Sequence, residues 1–207
     1  TTFFSISYPI FAEEKLNDSL KKYILFDGEQ TAAEAGQSFI DGFDEFIGDS
    51  AIENVNAAWF KEVDSRVLVN SPLLITLVTQ VNEYSGGAHG QHLTFFSNYD
   101  IHIAQTIALK DILQKDTYLQ LTKIAEKYFR KHEKLSAKES LSKDFFFEDG
   151  IFTLNDNFGL TKKSLIIYYN EYEIRPYSDG PTKIEIPYTE LVDIINTRGQ
   201  EYIQSIL

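Results

Sequence analysis

Imidazoles and carboxylates crowd one stretch of this chain. His89 and His92 stand three residues apart, with Asp100 and His102 close behind. These side chains are zinc ligands, so a metal-assisted hydrolase centred on His89, His92 and His102 is one reading. The spacing argues against it. In a zinc-hydrolase helix two histidines share one face with a glutamate between them, whereas here Gly90 and Gln91 intervene and the pair straddles a turn and the start of an extended segment. The alternative is that His89 hydrogen-bonds within its own glycine-rich turn. The same turn, Gly86-Gly87-Ala88-His89-Gly90, offers successive backbone N–H groups to an anion, but no Lys-Ser/Thr follows and no helix opens from it. A Gly-x-Ser-x-Gly elbow is absent, and with no Cys there is no thiol nucleophile, thiolate metal site or disulfide framework. Glu171 and Glu173 alternate along an extended run and read as solvent-facing charges rather than as a glycosidase pair. No catalytic residue and no cofactor are assigned.

Binding is the better use for these residues. Two turn-rich segments carry polar and aromatic side chains of the kind scaffolds display. One is the hairpin loop with Tyr84, Gly86, Gly87, His89 and Gln91; the other runs from Tyr172 through Arg175, Tyr177 and Asp179 to Gly180. The lysines and arginine between Lys123 and Lys138 fall at helical spacing and read as the wet side of an amphipathic helix rather than as an anion site.

The elements that position these loops follow from periodicity. Phe3 to Tyr8 alternates and meets Pro9, which predicts a strand that stops. A helix follows on Leu16, Leu20, Tyr23 and Ile24, ending at Asp27-Gly28. A second helix opens at Thr31 with Glu34 at capping-box spacing and carries Phe39, Ile40, Phe43, Phe46 and Ile47 inward until Gly48. From Ala57 onward the period becomes two, and Val67 to Val81 predicts one long strand that pairs with His92–Ile103 across the glycine turn in an antiparallel hairpin. Asp116-Thr117 opens a third helix on Tyr118, Leu121, Ile124, Ala125, Tyr128 and Phe129. Short strands are expected at Phe145–Phe147, Ile151–Leu154, Ser164–Tyr172 and Thr182–Ile186, with turns at 149–150, 155–159 and 179–181, and a short helix over Glu190–Asn196. Helices and strands in separate runs predict an α+β fold, an antiparallel sheet packed with amphipathic helices.

Composition bounds the function. The chain has 207 residues, 43% hydrophobic and 24% charged, which is a globular balance. No uncharged apolar run approaches the about 20 residues that span a bilayer. With 19 basic and 31 acidic side chains the net charge is -12, a field that repels nucleic-acid phosphate and attracts a basic protein partner. There is no Met, even at position 1, so the chain is expected to be a processed or trimmed product, as removal of a signal peptide or a lipoprotein tether would make it. Oligomeric state is not legible.

Four segments in order carry a family resemblance: Tyr84-Ser85-Gly86-Gly87-Ala88-His89-Gly90, Leu109-Lys110-Asp111-Ile112-Leu113, Tyr172-Glu173-Ile174-Arg175-Pro176-Tyr177 with Gly180-Pro181, and Ile186-Pro187-Tyr188-Thr189-Glu190-Leu191. The sequence resembles the pair of adjoining bacterial extracytoplasmic domains of unknown function found in the ectodomain of the anti-sigma factor RsiV and beside the catalytic domain of the peptidoglycan deacetylase PdaC. The resemblance implies two α+β subdomains, residues 1–100 and 101–207, exposed in the envelope, whether periplasmic, cell-surface or lipoprotein-tethered. It also implies a noncatalytic recognition role. In RsiV the recognised partner is lysozyme, so the expected ligand is a protein, such as a basic hydrolase, or a cell-wall glycan. Deacetylase chemistry in that family belongs to a separate domain with its own Asp and paired His. A third reading makes the chain a scaffold domain of a larger envelope protein.

Overall fold

The computed structural model describes residues 1–26, 28–49 and 58–207. In chain order the elements are β1 (Phe3–Ser7), α1 (Glu14–Leu20), α2 (Ala32–Asp49), β2 (Phe60–Asn70), β3 (Leu74–Tyr84), β4 (Gln91–Asp100), β5 (Gln105–Thr106), α3 (Leu109–Ile112), α4 (Tyr118–His132), β6 (Phe158–Leu160), β7 (Ser164–Tyr169), β8 (Thr182–Pro187) and α5 (Thr197–Ile206). Strands β1 to β5 form one sheet in sequence order, and β6 to β8 a second. This is the expected α+β architecture, with one exception to its antiparallel character. β1 pairs in parallel with β2, Phe3 opposite Phe60 and Ser7 opposite Asp64, which the long intervening segment containing α1 and α2 permits.

The chain divides into two compact units, Thr1–Arg66 with Thr79–Thr94, and Val67–Val78 with Phe95–Leu207. Strands β2, β3 and β4 are 10 or 11 residues long, and each passes from one unit into the other.

In the first unit the α2 start matches its capping signal. The Thr31 hydroxyl accepts from the Glu34 N–H at 3.1 Å, and the Glu34 carboxylate accepts from the Gln30 N–H at 2.8 Å, one residue earlier than the reciprocal box predicts. Gly36 lets α2 lie against β1, since a Cβ there would stand 3.3 Å from the Phe4 ring. The predicted first helix is shorter than expected: α1 ends at Leu20 and continues as a 3₁₀ turn over Lys21–Tyr23, with Asp27 outside the described residues. Leu20, Ile24, Val63 and Val81 are buried, and Ser65 and Thr79 satisfy each other at 2.9 Å.

The single long strand expected over 67–81 is two. Ser71, Pro72 and Leu73 turn the chain, with the Ser71 N–H donating to the Leu74 carbonyl at 2.9 Å and the Ser71 hydroxyl accepting from the Leu74 N–H at 3.0 Å. Apolar residues on both sides of the turn kept the period of two unbroken in the sequence, which hid the reversal.

The second unit has a continuous core in which Phe129 of α4 meets Phe145, Phe147 and Phe152 at ring-centroid distances of 4.9, 5.5 and 5.2 Å. Phe145–Phe147 and Ile151–Leu154 are not strands. Their alternating aromatics reflect burial from an irregular backbone, and β6 lies at Phe158–Leu160, partly within the turn expected at 155–159. The helix expected over 190–196 is likewise displaced: a 3₁₀ turn covers Tyr188–Glu190, and α5 begins at Thr197 because Asn196 caps it, accepting from the Gly199 N–H at 2.8 Å.

Candidate functional site: an aromatic cleft beneath the glycine hairpin

A cleft of about 390 Å³ opens in the first unit between α2 and the β1–β2 edge of the sheet. Phe4, Phe26, Phe39 and Trp59 line it, and behind this wall Phe39, Phe43 and Phe46, at helical spacing along α2, pack around Trp59 with ring centroids 6.1, 5.5 and 5.1 Å away. Phe4 of β1 extends the wall, 6.2 Å from Phe39. Gly42 on α2 leaves room for the indole, since its Cβ would stand 4.0 Å from the six-membered ring.

Polar groups are few and placed. Lys61 of β2 and Glu83 of β3 line the cleft and pair at 3.2 Å, their side chains only 16% and 24% exposed. Ser85, Ser38 and Glu29 complete the polar lining. Among the described residues the buried Trp59 indole nitrogen has no hydrogen-bond partner.

Of the predicted hairpin loop, Ser85 lines this cleft, while Tyr84, Gly86, Gly87, His89 and Gln91 are not among its lining residues. Tyr84 donates its hydroxyl to the Gly87 carbonyl at 3.0 Å, and Gly86 and Gly87 adopt φ of +100° and +94°. A Cβ on Gly86 would stand 3.7 Å from the indole nitrogen, so the loop lies directly over the orphan donor. His89 is exposed with Nδ1 2.9 Å from the Gly90 carbonyl, the local turn hydrogen bond expected of it. Gln91 and His92 are exposed at the start of β4.

The remaining predicted residues lie in the second unit. His102 is exposed, with Nε2 3.2 Å from the Pro72 carbonyl. Among the described residues no three His, Asp, Glu or Cys side chains gather into a set able to hold a metal ion. Asp100, considered beside the histidines, is fully buried and accepts from the Tyr202 hydroxyl, the Arg198 guanidinium and the backbone N–H groups of His102 and Ile103. Burial pushes its carboxyl up, but these four donors outweigh it and hold the carboxyl below its ordinary range.

Arg175 is likewise engaged internally. Its guanidinium donates to the Gly180 carbonyl at 3.1 Å, the Pro181 carbonyl at 3.0 Å and Glu133 of α4 at 3.0 Å. It therefore shapes the loop rather than facing a ligand. Tyr172, at φ +66° and 56% exposed, leans on Tyr177 with ring centroids 5.7 Å apart, and Asp179 is exposed in the same loop.

Sequence reasoning missed Trp59, Lys61, Glu83 and Phe4. One signal was available: Trp59 is the only tryptophan in the chain and stands immediately before a strand, two residues ahead of Lys61.

Two family profiles match separate stretches of the chain. Residues 1–92 match the family profile described as Deacetylase PdaC, and residues 110–189 match that of a protein of unknown function, DUF3298. The chain is 23% identical over 205 residues to the peptidoglycan-N-acetylmuramic acid deacetylase PdaC of Bacillus subtilis, covering 97% of this chain but only 40% of that protein. The crystal structure of a DUF3298-family member from Bacteroides fragilis superposes with a TM-score of 0.74 at 26% identity, covering 96% of this chain and 85% of its own. A DUF3298-family protein from Pseudomonas aeruginosa gives 0.69 at 21% identity over 93% of this chain and 84% of its own. Among the described residues no helix is long and apolar enough to cross a membrane.

Proposed function

We propose that this chain, which pairs a PdaC-type first half with a DUF3298 second half, is a noncatalytic recognition module of the bacterial envelope that binds a cell-wall fragment through its first unit. The observation that carries the reading is the Trp59 cleft: concave, aromatic, with a few convergent polar groups and an unmet donor. The peptidoglycan deacetylase relative supports a wall setting, periplasmic, cell-surface or lipoprotein-tethered. Its chemistry is not transferred, since this chain spans 40% of that protein's length. Cosedimentation with purified peptidoglycan sacculi tests the reading. Wild-type protein is expected in the pellet at moderate salt, and Trp59→Phe is expected to stay largely in solution. Recovery of both proteins in the supernatant would refute it.

A net charge of -12 favours a second reading, a basic protein partner such as lysozyme. Steering of this kind weakens beyond the Debye length, about 10 Å at 0.1 M salt. Titration with lysozyme is then expected to give binding that fades as salt rises. Absence of heat or chemical shift change at low ionic strength would eliminate this partner.

A further inference from the structure

We propose that the second unit binds an extended acidic peptide of a protein partner as an added strand along β8, in the notch between that edge and α4. The site is separate from the cleft of the first unit. Sheet order makes β8 an edge: among the described residues its one strand neighbour is β7. Register then fixes which of its backbone groups are free. The Tyr168 N–H donates to the Asn157 carbonyl at 2.9 Å and the Thr161 N–H to the Ser164 carbonyl at 3.1 Å, so Ser164, Ile166 and Tyr168 turn their backbone groups toward β6. Leu165, Ile167 and Tyr169 therefore face β8, where they stand opposite Ile186, Ile184 and Thr182. The β8 residues between, Lys183 and Glu185, aim both N–H and C=O away from the sheet. Two prolines agree with this assignment. Pro187, which has no N–H to offer, stands at the next outward position, and the carbonyl of Pro181, at the preceding one, accepts from Arg175 at 3.0 Å.

A notch of about 410 Å³ runs beside these free groups, lined by Lys183, Ile184 and Glu185 of β8 and by Tyr128, Lys131 and His132 of α4. It has a strand edge on one side and a helix flank on the other, so an added strand gains main-chain bonds from the first and side-chain contacts from the second. Charge selects the peptide. Glu185 is taken by Lys183 at 2.5 Å and Glu133 of α4 by Arg175 at 3.0 Å, while among the described residues Lys131 has no carboxylate partner. The notch therefore keeps a positive balance in a chain of net charge -12. An added strand turns alternate side chains toward α4, so the fitting sequence carries carboxylates at every second position. A second copy of this chain fits worse. Antiparallel pairing of two β8 edges would put both α4 helices on one face of the joined sheet and bring two Lys131-bearing flanks together, like against like.

The test is an amide NMR titration of the full isotope-labelled chain with a capped peptide of alternating glutamate and valine. Saturable shifts are expected at the Lys183 and Glu185 amides and at Lys131, and the matching lysine–valine peptide is expected to bind at least about tenfold more weakly. The glutamate–valine peptide methylated on every backbone nitrogen keeps its charge but cannot donate to the edge, and its binding should be lost. Glu185→Pro deletes one outward N–H and leaves the Ile184 and Ile186 bonds to β7 in place, so affinity should fall about tenfold. Lys131→Glu, on the exposed flank of α4, should weaken binding about as much with an unchanged melting temperature. Absence of saturable shifts at Lys183 and Glu185 overturns the proposal. Undiminished binding of the methylated peptide overturns it too, since the contact would then be one of charge alone. Self-association of the chain through β8 without any peptide gives the edge to a second copy and likewise overturns it.

Discussion

Asp100 is the residue whose replacement the second unit should feel most. Its side chain is completely buried, and its two oxygens divide the work: Oδ1 accepts from the His102 and Ile103 N–H groups at 2.8 and 3.1 Å, and Oδ2 accepts from Arg198 and Tyr202. Asp100→Asn keeps the first pair and places an NH₂ opposite the second. The Tyr202 hydroxyl can rotate to accept, but the guanidinium cannot, and Arg198 turns toward Glu201, with which it already pairs at 2.7 Å. One charge-assisted hydrogen bond is lost, about 2 kcal/mol. Asp100→Ala loses all four and strands two backbone donors, about 4–5 kcal/mol. For a chain of this size, about 2–4 °C per kcal/mol puts the melting shifts near 4–8 °C and 8–20 °C. The carboxyl titrates below its ordinary value in the fold, so the folded state releases its proton more readily than the unfolded one. Its contribution is therefore complete above about pH 4 and declines as pH falls through the folded value. The gap between wild type and Asp100→Asn should narrow over that same acid range. Urea unfolding at several pH values measures all of this. Equal destabilisation by Asn and Ala, or a loss below about 1 kcal/mol for Ala, would refute the account of the network.

Arg175→Lys should cost about 2 kcal/mol, because an ammonium cannot span the Gly180 and Pro181 carbonyls and Glu133 together; hydrogen exchange should quicken at residues 177–181. Gly199→Ala places a Cβ 2.6 Å from the Ile112 carbonyl oxygen and 2.7 Å from an Ile195 methyl, so overpacking of about 1–3 kcal/mol should appear in thermal melts. Burial raises the phenols of Tyr169, Tyr188 and Tyr202, the last to about 12 with help from the Asp100 charge. The folded state thus holds these protons more tightly than the unfolded one. The stability they lend is complete below about pH 10 and is lost as pH rises through the folded values. In an ultraviolet phenolate titration, three of the 12 tyrosines should ionise only as the chain unfolds.

Local signals were legible where one segment carries its own pattern. The Thr31 and Glu34 cap and the Leu121, Ala125, Phe129 stripe of α4 are each written within one helix and form as read, whereas the α2 stripe expected to point inward leaves Phe46 and Ile47 exposed. What escaped depends on register between segments. The ring partners of Trp59 lie 13 to 20 residues earlier on a helix, beyond the reach of any pattern within its own segment. The Lys61–Glu83 pair exists only because the chain reverses at Ser71-Pro72 and sets β2 beside β3, a reversal the unbroken apolar alternation concealed. At Phe145–Phe147 the error ran the other way. Period-two aromatics implied a ladder, yet Phe145 and Phe147 turn inward to Phe129 from a backbone that joins no sheet.

The two motif loops differ in how their residues are engaged. In the Tyr172–Tyr177 segment the arginine is bound on three sides by its own chain, so substitutions there should act through stability before they act on a ligand. In the Tyr84–Gly90 segment the side chains are mostly small, the backbone holds two left-handed glycines, and beneath them lies a donor with no acceptor.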